Sequence, residues 1–433
     1  MKVLVIGSGG REHCIAWKIS KSDFVEKIYA IPGNPGIAEL AECKNIDIKK
    51  ENFSQIISFV EEKGIDFTIV GPEAPLVDGI VDVFGKRGHK IFGPDMKGAM
   101  LEGSKVFTKD LCKKYEIPTP GSHAFKRSDR QKANNYLGKL EDNKFPIVIK
   151  VDGLAAGKGV IIAQTKEQAL SAVEQCFIKN VFGSSGDYIV IEDFMKGFEL
   201  SLLNLCDGKN IIPMVLAQDY KKIFDNDMGK NTGGMGSYSP VPFVSDDLYD
   251  KILNRIIYPT YDALLKEGIT YKGILYGGII VEEGEPYLLE YNCRFGDPET
   301  QAILPRLNSD LLELLVKCAG GKLSSQKLSW SNNKCVCVIM ASKGYPESSS
   351  SGDIIKGLDD LKNNEDITVF HAGTRYEDSN IATAGGRVLG AASCAPSFKE
   401  ARNKIYTAID KIKFDGMQFR KDIALRVEED PPC

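Results

Sequence analysis

The first hundred residues alternate short apolar runs with segments of helical period. Residues 3–6, 27–31, 67–70 and 90–92 are apolar with little alternation, which predicts strands buried on both faces of a parallel sheet. Residues 12–19 and 53–63 lie between them with apolar positions at helical spacing. Strand followed by helix, repeated, predicts a doubly wound parallel sheet. Each strand runs into a polar, glycine- or proline-rich loop: GSGGREH, PGNPG, GPEAPL and GPD. Four loops at one sheet edge make a crevice for an anion or a sugar.

Further along, a helix is predicted over 104–115, then a punctuated linker over 117–121. A compact α/β unit follows with FPIVIKVDGLAAGKGVIIA and the strand YIVIEDF, then a larger mixed unit holding a long glycine-rich loop over 219–240. The last hundred residues open on CVCVIMAS and include VFHAG, AGGRVLGAA and a helix over 397–412, an α+β pattern. The predicted division is an N-terminal substrate domain over 1–103, a central domain from 104–123 and 192–328, a lid over 124–191, and a C-terminal domain over 329–433. A chain of this length exceeds the roughly 250–300 residues at which single cores stop growing.

Composition narrows the function classes. The formal net charge is −4, from 55 basic and 59 acidic residues, which predicts no nucleic-acid partner. No apolar run approaches the ~20 residues of a membrane span, and MKVLVIG enters a strand with no signal pattern before it. Eleven cysteines lack CxxC pairs, which fits reduced thiols and a cytoplasmic location.

The segment EYNCRFGDPETQ, 290–301, carries the most chemistry. Glu290 and Asn292 follow a strand-like run and alternate onto one face. Two hard oxygen donors make a partial cage for Mg²⁺, which keeps waters and takes phosphate oxygens as its other ligands. Arg294 offers a planar fork for a carboxylate or phosphate, and Gly296 and Pro298 shape a turn around Asp297. The competing reading is a polar strand end closed by a salt bridge.

Two glycine loops resemble nucleotide motifs and depart from them. GSGG lacks the third glycine of the dinucleotide fingerprint, because Glu12 stands there, and PGN replaces the acidic end of the second strand. A nicotinamide-linked oxidoreductase is therefore disfavoured. What remains is a turn at a helix start, suited to one phosphate, with Arg11 adding charge, or a tight turn without a ligand. DGLAAGKG, 152–159, is one residue short of a P-loop, has Gly159 after Lys158, and precedes a strand. It reads as a hairpin flap over phosphates, with Lys150 beside it either snorkelling or facing an anion. Glu192 ends a strand and Glu199 follows it, a segment able to serve an adenine and a ribose. No histidine has a ligand or triad spacing.

In this order the motifs GSGGREH, PGNPG, VGPEAPL, FGP, LEGSK, GLAAGKGV, NTGGMGSYSP, EYNCRFGDPETQ, VFHAGT and AGGRVL resemble the ATP-grasp ligases, and within them the phosphoribosylamine–glycine ligase family. The resemblance spans nearly the whole chain. It implies an ATP-grasp fold of mixed α/β and α+β class and ATP-dependent ligation of glycine to 5-phosphoribosylamine. It also implies that Glu290 and Asn292 bind Mg²⁺ or Mn²⁺, and that Lys105 and Lys150 contact ATP phosphates under a flap with Gly157, Lys158 and Gly159. Glu192 would lie at the adenine hinge and Glu199 at the ribose. Gly9, Gly10, Arg11, Pro32, Gly33 and Asn34 would hold phosphoribosylamine, Asp219 would sit in a substrate loop, and Lys150, Arg294 and Asp297 would be catalytic. Tyr220 and Lys222 depart from the family's QDHK-R stretch, as do Phe198 and Lys230 at their own positions. Another carboxylate–amine ligase of purine metabolism is the alternative; a monomer or weak homodimer is expected.

Overall fold

The structure is a computed structural model and describes residues 1–155, 159–324 and 327–429. The first sheet holds β1 (Lys2–Gly7), β2 (Lys27–Pro32), β3 (Glu42–Cys43), β4 (Phe67–Val70) and β5 (Ile91–Phe92), in the order β3-β2-β1-β4-β5. Every pairing is parallel. Val3 and Val5 pack into one hydrophobic cluster, Leu4 and Ile6 into another. Burial of both faces explains the run without alternation. The edge strand β3 was absent from the sequence pattern, because two residues are too few to show a period.

The segment expected to be the lid forms a sheet of β6 (Ser122–Lys126), β7 (Ile147–Val151), β8 (Val160–Ala163) and β9 (Tyr188–Asp193), antiparallel in the order β6-β9-β7-β8. Helices Arg130–Lys139 and Lys166–Phe177 cover one face, burying Ile147, Ile149 and Val151 against Leu137 and Val173. The helix expected over 104–115 is Lys105–Lys114, and a further helix that the sequence pattern did not show, Met96–Gly103, precedes it. Ser104 breaks them, and its hydroxyl accepts from Phe107 N as the cap of the second.

In the central sheet, strand Phe198–Asp207 pairs antiparallel with Ile211–Pro213 and with Lys272–Glu282, which pairs with Glu285–Asn292. Glu283 and Gly284, both at positive φ, form the two-residue turn of this last hairpin. Its ladder matches Gly278 with Glu290 but Ile279 with Leu288, so Leu289 is the extra residue of a bulge. Bulges re-aim side chains beside functional sites. A Cβ on Gly278 would stand 3.3 Å from Glu290 Cγ, so glycine gives that carboxylate its room.

The fourth sheet is antiparallel and orders Gln218–Asp219, Gly236–Ser239, Lys334–Ala341, Arg387–Ala395 and Thr368–His371. Helix Phe398–Ile409 packs on it. Its first two strands come from the 219–240 segment read above as a loop. Their glycines and small polar residues conceal strand character, which comes from a distant partner: Gly236 pairs with Val338 and Ser239 with Cys335. Among the described residues, no helix is long and apolar enough to cross a membrane.

Candidate active site

A cleft of about 520 Å³ opens between the lid, the central sheet and the N-terminal turn. Lys150, Glu192, Glu199, Asp219, Glu290, Asn292, Arg294, Asp297 and Lys105 all line it, as do Arg11 and Gly159. Gly157 and Lys158 lie outside the described residues.

The lid side is organised by one carboxylate. Glu192, at the end of β9, is flanked by Lys150 Nζ at 2.9 Å and Lys109 Nζ at 3.3 Å, and all three are buried. Lys150 also donates to the bulged Leu289 carbonyl at 3.1 Å. Burial opposes the Lys150 charge, but Glu192 and Glu290 outweigh it and raise the pKa. Lys109 moves the other way: burial lowers its pKa in spite of Glu192. The expected hinge residue is thus locked between lysines, and Asp193, Phe194 and Met195 continue the cleft wall beyond it. Lys105 starts its helix under a clamp. Asp152, at the base of the flap, accepts from Ser104 Oγ at 3.0 Å and Val106 N at 2.7 Å.

Glu290 accepts no hydrogen bond and makes no ion pair among the described residues. Burial would raise its pKa, yet Lys150, Lys105, Lys221 and Arg294 together lower it. Among the described residues Asn292 Oδ1 accepts only from Arg294 Nη2, at 3.0 Å. A partnerless carboxylate beside a half-used amide oxygen fits a divalent cation that takes its remaining ligands from phosphate and water. Among the described residues no group of three or more acidic, His or Cys side chains could hold a metal.

Arg294 is held by Glu102 Oε1 at 2.9 Å and Glu73 Oε2 at 3.2 Å. Burial opposes its charge, but these carboxylates keep its pKa well above the ordinary value. Glu73 answers in kind: burial pushes it up, while Arg294 and Arg11 hold it at about 2. Neither glutamate was singled out from sequence, although both sit in quoted motifs, GPEAPL and LEGSK.

The N-terminal turn is more constrained than its glycines suggested. Glu12 folds back to accept from Gly9 N at 2.6 Å and pairs with Arg11 Nε at 2.5 Å. A Cβ on Gly7 or Gly71 would collide with Glu12 at 2.5 and 2.1 Å, so these glycines seat an internal carboxylate. Arg11 also donates to Phe295 O at 3.2 Å, which ties the turn to the RFGDPE segment. Gly10 packs against Gln301, where a Cβ would meet Nε2 at 2.8 Å. Pro32 ends β2, and Gly33, at φ +73°, turns the chain into Asn34. Asn34 is buried and fully engaged: it caps helix Pro35–Ala38 through Ile37 N and donates to the Ser8 and His371 carbonyls, both at 2.8 Å. Its side chain therefore shapes the turn from behind. His13 Nδ1 accepts from His371 N at 2.8 Å, a core role linking the first and last domains.

At the opposite wall, Lys221 Nζ lies 2.6 Å from Glu199 and 3.0 Å from Asp219. Burial raises the Asp219 carboxyl to about 6, against Lys221 and with help from Glu299 and Glu199. Glu199 thus meets a cation that sequence reasoning left without a role. Tyr220, at a departing position, is buried over Arg420, 4.7 Å from the guanidinium to the ring centre, which moves that residue out of the cleft. Glu299, also unforeseen, accepts from Tyr276 at 2.6 Å and Ser201 at 3.1 Å. Asp297 Oδ1 accepts from Gln301 Nε2 at 2.8 Å, and Arg387 of the C-terminal sheet stands 3.4 Å from Oδ2.

Lys105, Lys150, Lys221, Arg294 and Arg11 line one cleft with the Glu290 carboxylate and Asn292, a set of cations and hard oxygen donors of the kind that phosphoryl transfer requires. Comparison with known proteins points the same way. Family models described as the phosphoribosylglycinamide synthetase N domain, ATP-grasp (A) domain and C domain match residues 1–102, 103–300 and 335–426. A phosphoribosylamine–glycine ligase of Caldanaerobacter subterraneus subsp. tengcongensis is 49% identical over 98% of this chain and 99% of its own length. One from Escherichia coli O157:H7 is 45% identical over 99% of both. The crystal structure of phosphoribosylamine–glycine ligase from Thermotoga maritima superposes with TM-score 0.84 at 31% identity, over 98% of this chain and 100% of that one. The biotin carboxylase domain of Hydrogenobacter thermophilus 2-oxoglutarate carboxylase shares the fold, with TM-score 0.72 at 17% identity over 96% and 91%. The chain belongs to the phosphoribosylglycinamide synthetase family.

Proposed function

We propose that this enzyme ligates glycine to 5-phosphoribosylamine at the expense of ATP, giving glycinamide ribonucleotide, ADP and phosphate by way of glycyl phosphate. The observation that carries the reading is the Glu290 carboxylate, without a hydrogen-bond or ion-pair partner among the described residues, beside Asn292 and in the field of Lys150, Lys105, Lys221 and Arg294. A carboxylate is a poor acyl donor because its leaving group would be oxide. Transfer of the γ-phosphoryl group to a glycine oxygen creates a leaving group, and the ribosylamine nitrogen then forms the C–N bond as phosphate departs with the electron pair. Such a site has to neutralise charge and align partners, and it needs no nucleophilic Ser or Cys.

Lys150 and Lys105 supply positive charge for phosphate oxygens, under the hairpin that Gly159 closes by accepting from Val151 N at 2.9 Å. Glu290 and Asn292 Oδ1 would hold Mg²⁺ or Mn²⁺, which when bound offsets phosphate charge. The backbone beyond Glu192 would face the adenine, and Glu199 the ribose. The turn Gly9–Gly10–Arg11, with Pro32, Gly33 and Asn34 around it, would receive phosphoribosylamine; Arg11 lines the cleft together with Asp219, Arg294 and Asp297, which would stand close to the reacting groups. Free thiols at the ten described cysteines support a cytoplasmic setting. A monomer or weak homodimer is the state expected of the enzyme.

The test is ADP formation with glycine and freshly generated phosphoribosylamine, each omitted in turn. ADP and glycinamide ribonucleotide should form together only when both are present. Equal turnover with a different carboxylate in place of glycine would favour another carboxylate–amine ligase.

A further inference from the structure

We propose that Arg387, supplied by the C-terminal sheet, is a positioning residue that fixes Asp297 and the 231–235 segment in register across the floor of the cleft. The inference rests on the reading above. Arg387 is the first residue of strand Arg387–Ala395, and its side chain reaches the cleft that the other domains build. Nη1 donates to the carbonyls of Gly233, at 2.5 Å, and Asp297, at 2.7 Å. Nη2 stands 3.4 Å from Asp297 Oδ2. A Cβ on Gly233 would lie 3.1 Å from the guanidinium carbon, so glycine at this position lets the flat group rest on the backbone.

The Asp297 carboxylate is thus held from both sides, by Gln301 on Oδ1 and Arg387 on Oδ2. It faces the N-terminal turn: a Cβ on Gly9 would be 3.6 Å from Oδ2. Asp297 therefore stands where the phosphoryl-transfer cleft meets the turn for the second substrate. Burial opposes the Arg387 charge, but Asp297 outweighs it, and the guanidinium stays charged. A planar fork can serve two carbonyls and a carboxylate at once; a lysine ammonium on a flexible stem cannot hold the same set in one geometry.

The consequence is a coupling role. With the floor in register, the ribosylamine nitrogen reaches the activated carbonyl before water does. With Asp297 free to turn, the C–O bond to phosphate still breaks, but water more often forms the new bond and glycine is regenerated. Loss of the guanidinium should therefore spare ATP binding and waste ATP.

The experiment compares wild type, Arg387→Ala and Arg387→Lys for the KM of ATP, for kcat, and for phosphate released per glycinamide ribonucleotide. In Arg387→Ala, kcat should fall on the order of 10²-fold, the scale of a misplaced reacting group. Phosphate should exceed product, the KM for ATP should stay within about threefold, and added guanidinium ion should restore much of the lost rate, all on the reasoning that only alignment is lost. A merely structural loss would not respond to guanidinium. If Arg387→Ala does not fold, Arg387→Lys keeps the charge and should still release excess phosphate. One phosphate per product with near-normal kcat in either variant overturns the inference. So does a loss that guanidinium leaves unchanged in folded Arg387→Ala. Wild type forming no product from glycine and phosphoribosylamine would instead overturn the reading on which the inference rests.

Discussion

Replacement of Glu290 by glutamine separates catalytic charge from structural charge unusually well. The native carboxylate makes no hydrogen bond or ion pair among the described residues, so the isosteric amide breaks no short contact. What it removes is the anionic half of a two-oxygen donor pair, since Asn292 Oδ1 is neutral and shared with Arg294. It also leaves Lys150, Lys105, Lys221 and Arg294 facing one another without the charge they surround. The lowered pKa of Glu290 means that the folded state favours its ionised form, so the variant loses some stability above the ordinary carboxylate range. Relief of burying a charge offsets part of that loss. The expected balance is a change of about 1 kcal/mol in unfolding free energy. Turnover should drop far more, by about 10²–10³, the cost of losing one main electrostatic contact in a closed site, or roughly 3–4 kcal/mol. The assay is ADP formation across a Mg²⁺ titration, with chemical unfolding measured on the same preparation. Unchanged turnover at saturating Mg²⁺ would remove Glu290 from the metal site, and a stability loss as large as the catalytic one would make its role structural.

Arg11→Ala should raise the KM for phosphoribosylamine by about 10–10²-fold, the worth of a charge-assisted contact, with little change for ATP; an effect mainly on ATP would refute the assignment of two separate phosphate sites. Amides of Gly153 and Gly159 should exchange more slowly when ATP and Mg²⁺ bind, because the hairpin closes over nucleotide; equal exchange with and without nucleotide would refute a moving lid. His13 and His371 are buried, and burial lowers their pKa values to about 3 and about 4, with His371 adding to the effect at His13 and Lys362 at His371. Their neutral forms therefore support the fold fully above the unfolded value of 6.5, and that support is lost as pH falls from there through the folded values. By pH 5 each should cost about 2 kcal/mol of stability, and NMR should show both rings unprotonated in the native protein; a ring titrating near 6.5 would contradict this.

The parallel sheet was legible because both of its faces are covered, which writes apolar runs into the chain. Glu290 and Asn292 were legible because strand alternation alone puts them on one face. The bulge at Leu289 was not, since it depends on the ladder to Lys272–Glu282. Lys109, Glu73 and Glu102 escaped notice because nothing in their local sequence differs from a solvated charge. Only the fold brings Glu73 and Glu102 to Arg294, and Lys109 to Glu192. Behind the glycine-rich turn, Gly7 and Gly71 make room for Glu12. The place of that internal carboxylate is invisible without coordinates. The short strands Gln218–Asp219 and Gly236–Ser239 were hidden for a related reason: long-range pairing overrides their turn-like composition.

The proposed reaction turns on activation of glycine by phosphorylation of its own carboxylate. Glycine carrying heavy oxygen in both carboxylate positions, turned over with ATP and phosphoribosylamine, tests it directly by mass analysis of the released phosphate. One glycine oxygen should appear in each inorganic phosphate and the other in the amide carbonyl of the product. Unlabelled phosphate at full turnover would contradict it.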